Sequence, residues 1–558
     1  MIFASFAEII SIGSVIPFLG VLASPETVYN HSFARPFIEL IDIESPEQLI
    51  LPVTVFFTIS ILLSNLIRLL LVWYQSRLGY AIGADISLKI FKRTLFQTYQ
   101  SIINHNSSEL ISGISKKANN AVSSSILPLM NIISSSLILF FILVILFFVN
   151  FQMTLISLIS FFFMYMFIII GGRKKLLDNS LTISSKSNEL IKIVQESIGS
   201  IRDVIVNSNQ SFFLDYFRRS DTEMRRAQST NQIINESPKF FVEALGMILI
   251  AWVSYGFLVR GHNIETIFPM LGVLVLGAQK MVPLIQKSYS SWAQMRGEQQ
   301  SLSDIVSLLC LPDFSYERNI KTKDSFKFTK KIRFENLCFS YFSEQRQVIK
   351  ETNLDIFKGD CIGLYGKTGS GKSTLIDIIM GLLQPTSGSI FIDGKIINLE
   401  NSCLLRSQVS HVPQRVFLLD ASIAENIAFA INSDLIDYEL IKEVSSQAKL
   451  LDFVNSLPEG FNTIVGENGV KLSGGQVQRI GISRALYNKN PILILDEATS
   501  ALDSQTESQI IDSIIKNNKT TIIMIAHRLS TLKYCNKIFE MKSGRLVEKV
   551  FTEKDFSK

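Results

Sequence analysis

The sequence predicts two parts of different fold class: an all-α six-helix transmembrane domain over residues 1–300, and an α/β domain over residues 331–558. Two observations support this division. Of the 558 residues, 47% are hydrophobic and only 18% are charged, a composition typical of a membrane protein that carries a water-soluble domain. The second half contains short apolar runs suited to buried parallel strands. Residues 301–330 are mixed and polar, and we interpret them as a linker.

Six apolar stretches in the first part are long enough to cross a bilayer, which takes ~20 residues. They are centred on residues 3–23, 51–73, 126–149, 153–170, 240–258 and 264–283. Buried helices of a soluble core are the alternative, but residues 137–149 have no polar face. Lys and Arg are concentrated after the second and fourth stretches, so those segments are predicted to be cytoplasmic.

A Gly-rich string in the second part has the pattern of a phosphate-binding loop. Its residues are Gly366, Lys367, Thr368, Gly369, Ser370, Gly371, Lys372, Ser373 and Thr374. The glycines allow the backbone N–H groups to turn toward phosphate oxygens, and the helix predicted from Lys372 adds its positive N-terminus. We expect Lys372 to contact the β- and γ-phosphates and Ser373 to bind Mg²⁺. A turn that binds nothing is the alternative, but the apolar segments 361–365 and 375–383 supply the expected strand and helix.

Two further apolar runs end in polar side chains that suit nucleotide hydrolysis. Residues 492–495 are followed by Asp496 and Glu497, and residues 520–526 are followed by His527. Adjacent carboxylates at a strand end favour a shared cation, so Asp496 is the predicted Mg²⁺ ligand. Glu497 is then the predicted general base for the attacking water. His527 is a candidate γ-phosphate contact. Taken alone it is more typical of a capping or satisfied histidine, and the other motifs favour the contact.

From about residue 331 to the C-terminus, these strings resemble the nucleotide-binding domain of ABC transporters. By that resemblance Tyr341 stacks on adenine, and Gln414 contacts Mg²⁺ and couples to the membrane domain. Residues 463–469 resemble the loop that precedes the signature in exporters. The signature begins at Leu472 and continues through Ser473, Gly474, Gly475 and Gln476, and the D-loop runs over residues 500–503 and ends at Asp503.

The resemblance also implies a partner subunit, because the signature of one copy completes the ATP site of another. The N-terminus of the helix after Ser473 has to approach the γ-phosphate held by the opposite subunit. Since the chain carries one set of motifs, a symmetric homodimer with two active sites is the simplest arrangement. A heterodimer with a homologous half is the alternative.

Cations within the apolar stretches are the best indication of a transported substrate. Arg68 lies deep in the second stretch, Lys239 at the start of the fifth and Lys280 within the sixth. A cation within a span costs at least ~2.5–3.5 kcal/mol, so such residues usually face a cavity or a partner. Three cations on one cavity would suit a phosphate or pyrophosphate. The alternative is that Lys239 reaches the membrane surface while Glu8 or Glu243 pairs with the others.

Scattered strings in the membrane half, at 7–19, 65–68, 104 and 107–111, resemble bacterial flippases of lipid-linked oligosaccharides. Such substrates carry a pyrophosphate, which agrees with the cations. The leading hypothesis is therefore ATP-driven flipping or export of a lipid-linked glycan, with membrane lipid and this glycan as the partners. The protein is then a multi-pass protein of the cytoplasmic (inner) membrane, with its ATPase domain in the cytoplasm. Export of another lipid, a peptide or a drug is the nearer alternative, and a non-transport ABC ATPase is the remote one.

Other features of the chain narrow these hypotheses. The net charge of +5 does not indicate a nucleic-acid partner. All five cysteines lie in the predicted cytoplasmic half, so structural disulfides are not implied. The chain enters apolar sequence directly at Met1, without the basic segment that usually opens such half-transporters, and a truncated start is one interpretation.

Overall fold

The computed structural model describes residues 1–23, 25–30, 39, 44–103, 106–149, 151–259, 264–312, 327–341, 346–398, 401–517, 520–526 and 529–551. The chain divides into two compact units. The first comprises Met1–Gln97 and Ile103–Asp313, and the second comprises Thr98–Ile102 and Phe314–Lys558. Part of the predicted linker is helical, since a helix runs over Gln299–Leu309 and belongs to the first unit.

Helices make up the first unit, and each of the six predicted spans lies on helix. In chain order the helices up to residue 309 are α1 Ile2–Gly13, α2 Val15–Ala23, α3 Pro25–Tyr29, α4 Ile50–Leu95, α5 Tyr99–Ile103, α6 Ser107–Ser112, α7 Ala118–Ala121, α8 Leu127–Val149, α9 Phe151–Gly199, α10 Ile201–Val206, α11 Gln210–Val259, α12 Ile264–Gly297 and α13 Gln299–Leu309. Of these, α5 belongs to the second unit except for Ile103. By length and composition, two helical stretches within the described residues are able to cross a membrane, Pro46–Leu95 and Ser107–Val144. The count of six crossings stays a prediction.

The first predicted span, 3–23, is two helices rather than one. Helix α1 ends at Gly13 and α2 begins at Val15. Pro17 has no N–H to donate to the carbonyl of Gly13 four residues earlier, and its ring would clash with that carbonyl in a continuous helix. The break therefore follows from the position of the proline.

The segment between α6 and α8 stays helical through two π-helical turns, Gly113–Lys117 and Val122–Ile126. Helix α4 approaches the second turn closely. A Cβ placed on Gly83 would lie 2.4 Å from Val122 Cγ2, and one on Gly79 would lie 2.5 Å from Leu127 Cδ2. Small residues four apart permit such close helix contact within a membrane.

Two sheets and surrounding helices form the second unit. The strands are β1 Lys331–Phe339, β2 Ile349–Phe357, β3 Cys361–Tyr365, β4 Ser387–Ile392, β5 Lys395–Ile397, β6 Val409–Val412, β7 Ile492–Asp496, β8 Thr521–Ile525, β9 Lys537–Lys542 and β10 Arg545–Lys549. The helices are α14 Lys372–Ile379, α15 Ser402–Arg406, α16 Ile423–Ile427, α17 Tyr438–Gln447, α18 Leu451–Asn455, α19 Gly474–Tyr487 and α20 Ser504–Asn517.

One sheet is antiparallel, in the order β2-β1-β4-β5, and the other has the order β10-β9-β3-β8-β7-β6. In the second sheet the strands from β9 to β6 are parallel. Leu364 of β3 and Asp496 of β7 both pair with Ile525 of β8. The carboxyl ends of these three strands therefore meet at one edge, as expected for a ligand site in an open α/β sheet.

Candidate functional site

The predicted phosphate loop lies between the end of β3 and the start of α14. Gly366, Gly369 and Gly371 have φ angles of 153°, 77° and 107°, which side chains with a Cβ rarely adopt. At Gly366 a Cβ would also lie 2.4 Å from the carbonyl oxygen of Met541. The tight turn on which a phosphate cradle depends is therefore present, and it requires glycine.

Two polar side chains of this loop fit a phosphate ligand. The Ser370 hydroxyl is buried without a hydrogen-bond partner among the described residues. Such an unsatisfied group costs ~1–3 kcal/mol, and a phosphate oxygen would satisfy it. The Lys372 ammonium is held at the loop by donating to the carbonyls of Gly366 at 2.8 Å and Lys367 at 3.1 Å.

Gln414 and Glu497, to which the sequence assigns cooperating roles, are in contact. They follow the neighbouring parallel strands β6 and β7, and Gln414 Nε2 donates to Glu497 Oε2 at 2.6 Å. Glu497 has a φ of 49°, a left-handed conformation that is uncommon outside glycine and typical of functional positions. Its N–H donates to the carbonyl of Ile525 on β8 at 3.1 Å.

Tyr341 lies against the helix that follows the phosphate loop. Its hydroxyl is 3.1 Å from Thr374 Oγ1, and its ring packs edge-on against Phe339 with centroids 5.0 Å apart. The aromatic ring is thus fixed beside the loop, and its stacking on adenine stays a prediction.

The signature residues form the N-terminus of the 14-residue helix α19. Ser473 Oγ accepts from the N–H of Gln476 at 3.3 Å, and Gln476 Oε1 accepts from the N–H of Ser473 at 2.8 Å. This reciprocal capping box satisfies two of the free N–H groups at the helix end. Gln476 therefore stabilises the N-terminus of its own helix. Ser473 is the N-cap, and Gly474 and Gly475 begin the first turn.

Hydrogen bonds of Asp503 and Gln478 fix the conformation of the D-loop. Asp503 Oδ2 accepts from the N–H of Thr506 at 2.9 Å and caps α20. Gln478, buried on α19, accepts from the N–H of Ala501 at 2.9 Å and donates to Ser500 Oγ at 3.0 Å. The helix that begins at the signature is therefore tied to the D-loop of the same chain.

Glu507, which the sequence reasoning missed, connects two segments of the site. Its buried carboxylate accepts through Oε1 from Thr499 Oγ1 at 2.7 Å and from Thr531 Oγ1 at 2.9 Å. Thr499 lies two residues after Glu497, and Thr531 lies four residues after His527. His527 itself lies outside the described residues.

The sequence reasoning also missed Gln478, and a signal for both Gln478 and Glu507 exists in the sequence. Gln478 precedes Ile482 by four residues on α19, and Glu507 precedes Ile511 by four residues on α20, so each lies on the apolar stripe of its helix. A polar side chain on a buried stripe needs a hydrogen-bond partner. That rule predicts that each has one, but not which.

In the first unit, two of the three predicted substrate cations meet at one carboxylate. Glu8 Oε1 lies 2.9 Å from Lys280 Nζ and 3.7 Å from Arg68 Nη1. Ser64 Oγ donates to Glu8 Oε2 at 2.8 Å. Lys239 does not join this cluster; it lies 3.9 Å from Glu243 one turn along its own helix. The pairing with Glu8 that the sequence left as an alternative is thus present for Arg68 and Lys280.

Comparison with known families covers both units. A model described as ABC transporter transmembrane region matches residues 2–278, and a model described as ABC transporter matches residues 349–500. The chain belongs to the ABC transporter family. It is an exporter-type half-transporter, with a helical transmembrane domain followed by an α/β ATPase domain.

Individual relatives of this exporter differ in what they are named for. An ATP-dependent lipid A-core flippase of Pectobacterium atrosepticum is 30% identical over 380 residues, which are 66% of this chain and 64% of that relative. An alpha-hemolysin translocation ATP-binding protein of Escherichia coli is 38% identical over 304 residues, 54% of this chain and 42% of that protein. A bacterial Atm1-family ABC exporter solved with ATP bound has the same fold, with a TM-score of 0.75, 22% identity and coverage of 96% and 93%.

Family membership gives the second unit its function. The exporter binds ATP in the second unit and couples ATP hydrolysis to transport across a membrane, with the ATPase domain in the cytoplasm. The predictions of an ABC ATPase and of a membrane exporter are confirmed. The individual roles of the site residues stay predictions.

Proposed function

We propose that this exporter works as a homodimer in the cytoplasmic membrane and flips a lipid-linked oligosaccharide, or a related polyprenyl-phosphate glycan. The observation that carries the proposal is the meeting of Arg68 and Lys280 at one buried carboxylate, Glu8. Two cations share one anion there, so the cluster keeps one positive charge. An anionic phosphate group is the natural ligand for such a site within a membrane domain.

The exposure of the three side chains supports this assignment. Glu8 is 1% exposed, whereas Arg68 and Lys280 retain 33% and 37% of their side-chain surface. The carboxylate thus has no room for a further partner, while each cation still has donors free to reach a second anion. A phosphate or pyrophosphate would bind the cations from the side opposite Glu8.

A third cation, which the sequence reasoning missed, extends the positive region. Lys287 follows Lys280 by seven residues on α12, so both lie on one helix face. Burial and then the like charge of Arg68 lower the pKa of Lys287. A pyrophosphate, which carries more charge than one phosphate, suits a region with three cations and one carboxylate. The seven-residue spacing is the signal by which Lys287 could have been found.

The relatives support a lipid cargo without deciding it. One relative is named a lipid A-core flippase, which agrees with the membrane-half strings that resemble flippases of lipid-linked oligosaccharides. Another relative is named for translocating a protein toxin, so a peptide cargo is the second candidate. A peptide or drug exporter has no need of Arg68 and Lys280, and this difference separates the candidates.

For the ATPase, we propose that Ser373, Gln414 and Asp496 hold Mg²⁺. A hydroxyl, an amide oxygen and a carboxylate are the oxygen donors that Mg²⁺ prefers. Burial and then the nearby Asp496 charge raise the pKa of Asp377 to about 6, so a second carboxyl group lies near the proposed metal ligand. Once bound, Mg²⁺ would neutralise charge on the phosphates.

In the proposed cycle, Lys372 and the phosphate loop hold the nucleotide, and Glu497 accepts the proton of the attacking water. Ser473 and the N-terminus of α19 contribute from the partner copy, so that ATP closes the two ATPase domains. Closure changes the position of Gln414, which sits beside the base, and hydrolysis opens the dimer again. This is alternating access driven by nucleotide.

The test is transport in proteoliposomes. The ATPase domain faces the outer solution, and a polyprenyl-pyrophosphate glycan is placed in the outer leaflet. We expect ATP-dependent flipping by the wild type, and loss of flipping in Arg68→Gln and Lys280→Gln. Lys192→Gln is the control, since Lys192 is an exposed helix cation paired with Glu196. Normal transport of a peptide or drug by both variants, without glycan flipping by the wild type, would reject the proposal in favour of the second candidate.

A further inference from the structure

Two cysteines of the ATPase domain lie in sulfur–sulfur contact. Cys361 is the first residue of β3, and Cys535 lies two residues before β9, the strand that pairs with β3. Their Sγ atoms lie 3.6 Å apart, within hydrogen-bonding distance for sulfur. Both thiols are free. Neither residue belongs to the motifs that bind or hydrolyse ATP.

The backbone already holds the two residues together. The N–H of Asn536 donates to the carbonyl of Cys361 at 2.9 Å, and the N–H of Cys361 donates to Asn536 Oδ1 at 2.9 Å. Closing the contact from 3.6 Å to a disulfide of about 2.05 Å moves the sulfurs by only about 1.5 Å. Rotation of two short side chains can supply most of that movement.

The remaining cysteines are placed differently. Cys310 is exposed at the end of α13, and Cys338 Sγ accepts a hydrogen bond from the N–H of Glu351 at 3.3 Å. Cys403 is partly exposed on α15. The contact between Cys361 and Cys535 therefore singles out one pair for oxidation.

We propose that Cys361 and Cys535 are a redox-sensitive dithiol, which hydroperoxides convert to a reversible disulfide that slows ATP hydrolysis. In the first step the Cys361 thiolate attacks the peroxide, which gives a sulfenic acid and releases water or an alcohol. In the second step the Cys535 sulfur attacks the Cys361 sulfur, the S–O bond breaks, and the leaving hydroxide takes up the Cys535 thiol proton and departs as water. Two thiols are oxidised and one peroxide is reduced. A dithiol reductant reverses the reaction by exchange.

The order of the two thiols follows from their surroundings. The hydrogen bond with Cys361 and burial both raise the pKa of the Cys535 thiol. Cys535 Sγ also lies against the β3 backbone, 3.1 Å from where a Cβ on Gly363 would be. Cys535 is therefore the protected thiol that resolves the intermediate, and Cys361 is the one that meets the peroxide.

The link to hydrolysis runs through the segment that ends at Cys535. Cys361 begins the strand that leads into the phosphate loop. Cys535 directly follows the turn Leu529–Tyr534, in which Thr531 bonds Glu507, and Glu507 also holds Thr499 beside the predicted base. A covalent bond between the two cysteines would restrict this segment relative to the loop. Loss of that freedom should slow turnover.

The test uses the purified full-length exporter in detergent, treated with hydrogen peroxide and then with dithiothreitol. We expect a mass loss of two hydrogens, protection of Cys361 and Cys535 from alkylation, and a drop in kcat of roughly two- to thirtyfold, the range of typical energetic couplings between sites. Dithiothreitol should restore both the thiols and the rate. Peroxide should leave the rate of Cys361→Ala and Cys535→Ala unchanged, whereas Cys403→Ala should respond like the wild type.

Three results would overturn the proposal. They are the absence of a disulfide between these residues, a cross-linked protein that hydrolyses ATP as fast as the dithiol form, and equal inhibition of the wild type and Cys361→Ala. Mapping of the disulfide needs only the wild type, so poor folding of one variant does not remove the test. The inference is independent of the transported substrate, because ATP hydrolysis is the readout.

Discussion

Gln414 donates its side-chain amide to the carboxylate of Glu497 across 2.6 Å, which joins the predicted coupling residue to the predicted base. Glu497 reaches this position with an uncommon positive φ of 49°. The contact means that any movement of Gln414 changes the hydrogen bonding of the base directly. It provides a short physical route between the segment after β6 and the chemistry of hydrolysis.

Glu497→Gln should abolish most ATP hydrolysis while ATP still binds. An amide cannot accept the proton of the attacking water, and loss of a general base lowers rates by about 10²–10⁴-fold. The measurement is steady-state ATPase activity together with nucleotide binding by the same preparation. Turnover at the wild-type rate would remove Glu497 from its assigned role.

Glu507→Leu should destabilise the ATPase domain and lower kcat. The change leaves the buried Thr531 hydroxyl without its acceptor, at a cost of ~1–3 kcal/mol, and frees Thr499 beside the base. Glu443→Leu is the matched control, because Glu443 is exposed on α17 and bonds Gln447. Thermal unfolding and ATPase rates check both variants. Equal melting temperatures and rates for the two would show that the Glu507 contacts contribute little.

Local chemistry made much of the ATPase domain predictable. The strands predicted at 361–365 and 492–495 correspond to β3 and β7, because each is a short apolar run bounded by turns. The helix predicted over 375–383 ends earlier, at Ile379. Gly381 has a φ of 70°, and a left-handed glycine of this kind commonly terminates a helix.

Contacts between distant parts of the chain were not predictable in the same way. Glu8 and Lys280 are 272 residues apart, and only the packing of helices brings them to 2.9 Å. The sequence offered Glu8 or Glu243 as counter-charges, and the structure pairs Glu8 with two cations and Glu243 with Lys239. The apolar stripes of α19 and α20 indicate that Gln478 and Glu507 are buried, but their partners lie on loops whose course no local pattern determines.

Gly83→Ala should weaken packing in the membrane domain. A Cβ at this position would lie 2.4 Å from Val122 Cγ2, and the short branched side chain of Val122 cannot easily move away. Overpacking of this kind costs about 1–3 kcal/mol. Gly171→Ala is the control, because no atom of the described residues lies within 4 Å of the corresponding Cβ. Thermal unfolding in detergent should separate the two, and Gly83→Ala with Val122→Ala should recover stability. Equal stability of both single variants would contradict the close approach.

The stability of the exporter should depend on His411 at mildly acid pH. Burial lowers the pKa of His411 on β6 to about 4, from an ordinary value of 6.5. The folded protein therefore keeps this histidine neutral while the unfolded chain binds a proton below pH 6.5. The contribution of His411 to the free energy of unfolding is fully present above pH 6.5. It is lost as the pH falls toward 4, by about 3 kcal/mol in total. His411→Leu should lack this component, so parallel pH–stability curves for the two proteins would contradict the assignment.

The account depends most on ATP being bound between two copies, with the signature of each completing the site of the other. Mixed dimers with two affinity tags test this directly. If one copy carries Lys372→Ala and its partner Ser473→Arg, both defects fall in one site and the second site is intact. If one copy carries both changes and its partner is wild type, each site has one defect. We predict substantial ATPase activity in the first mixed dimer and little in the second; the reverse order would contradict the account.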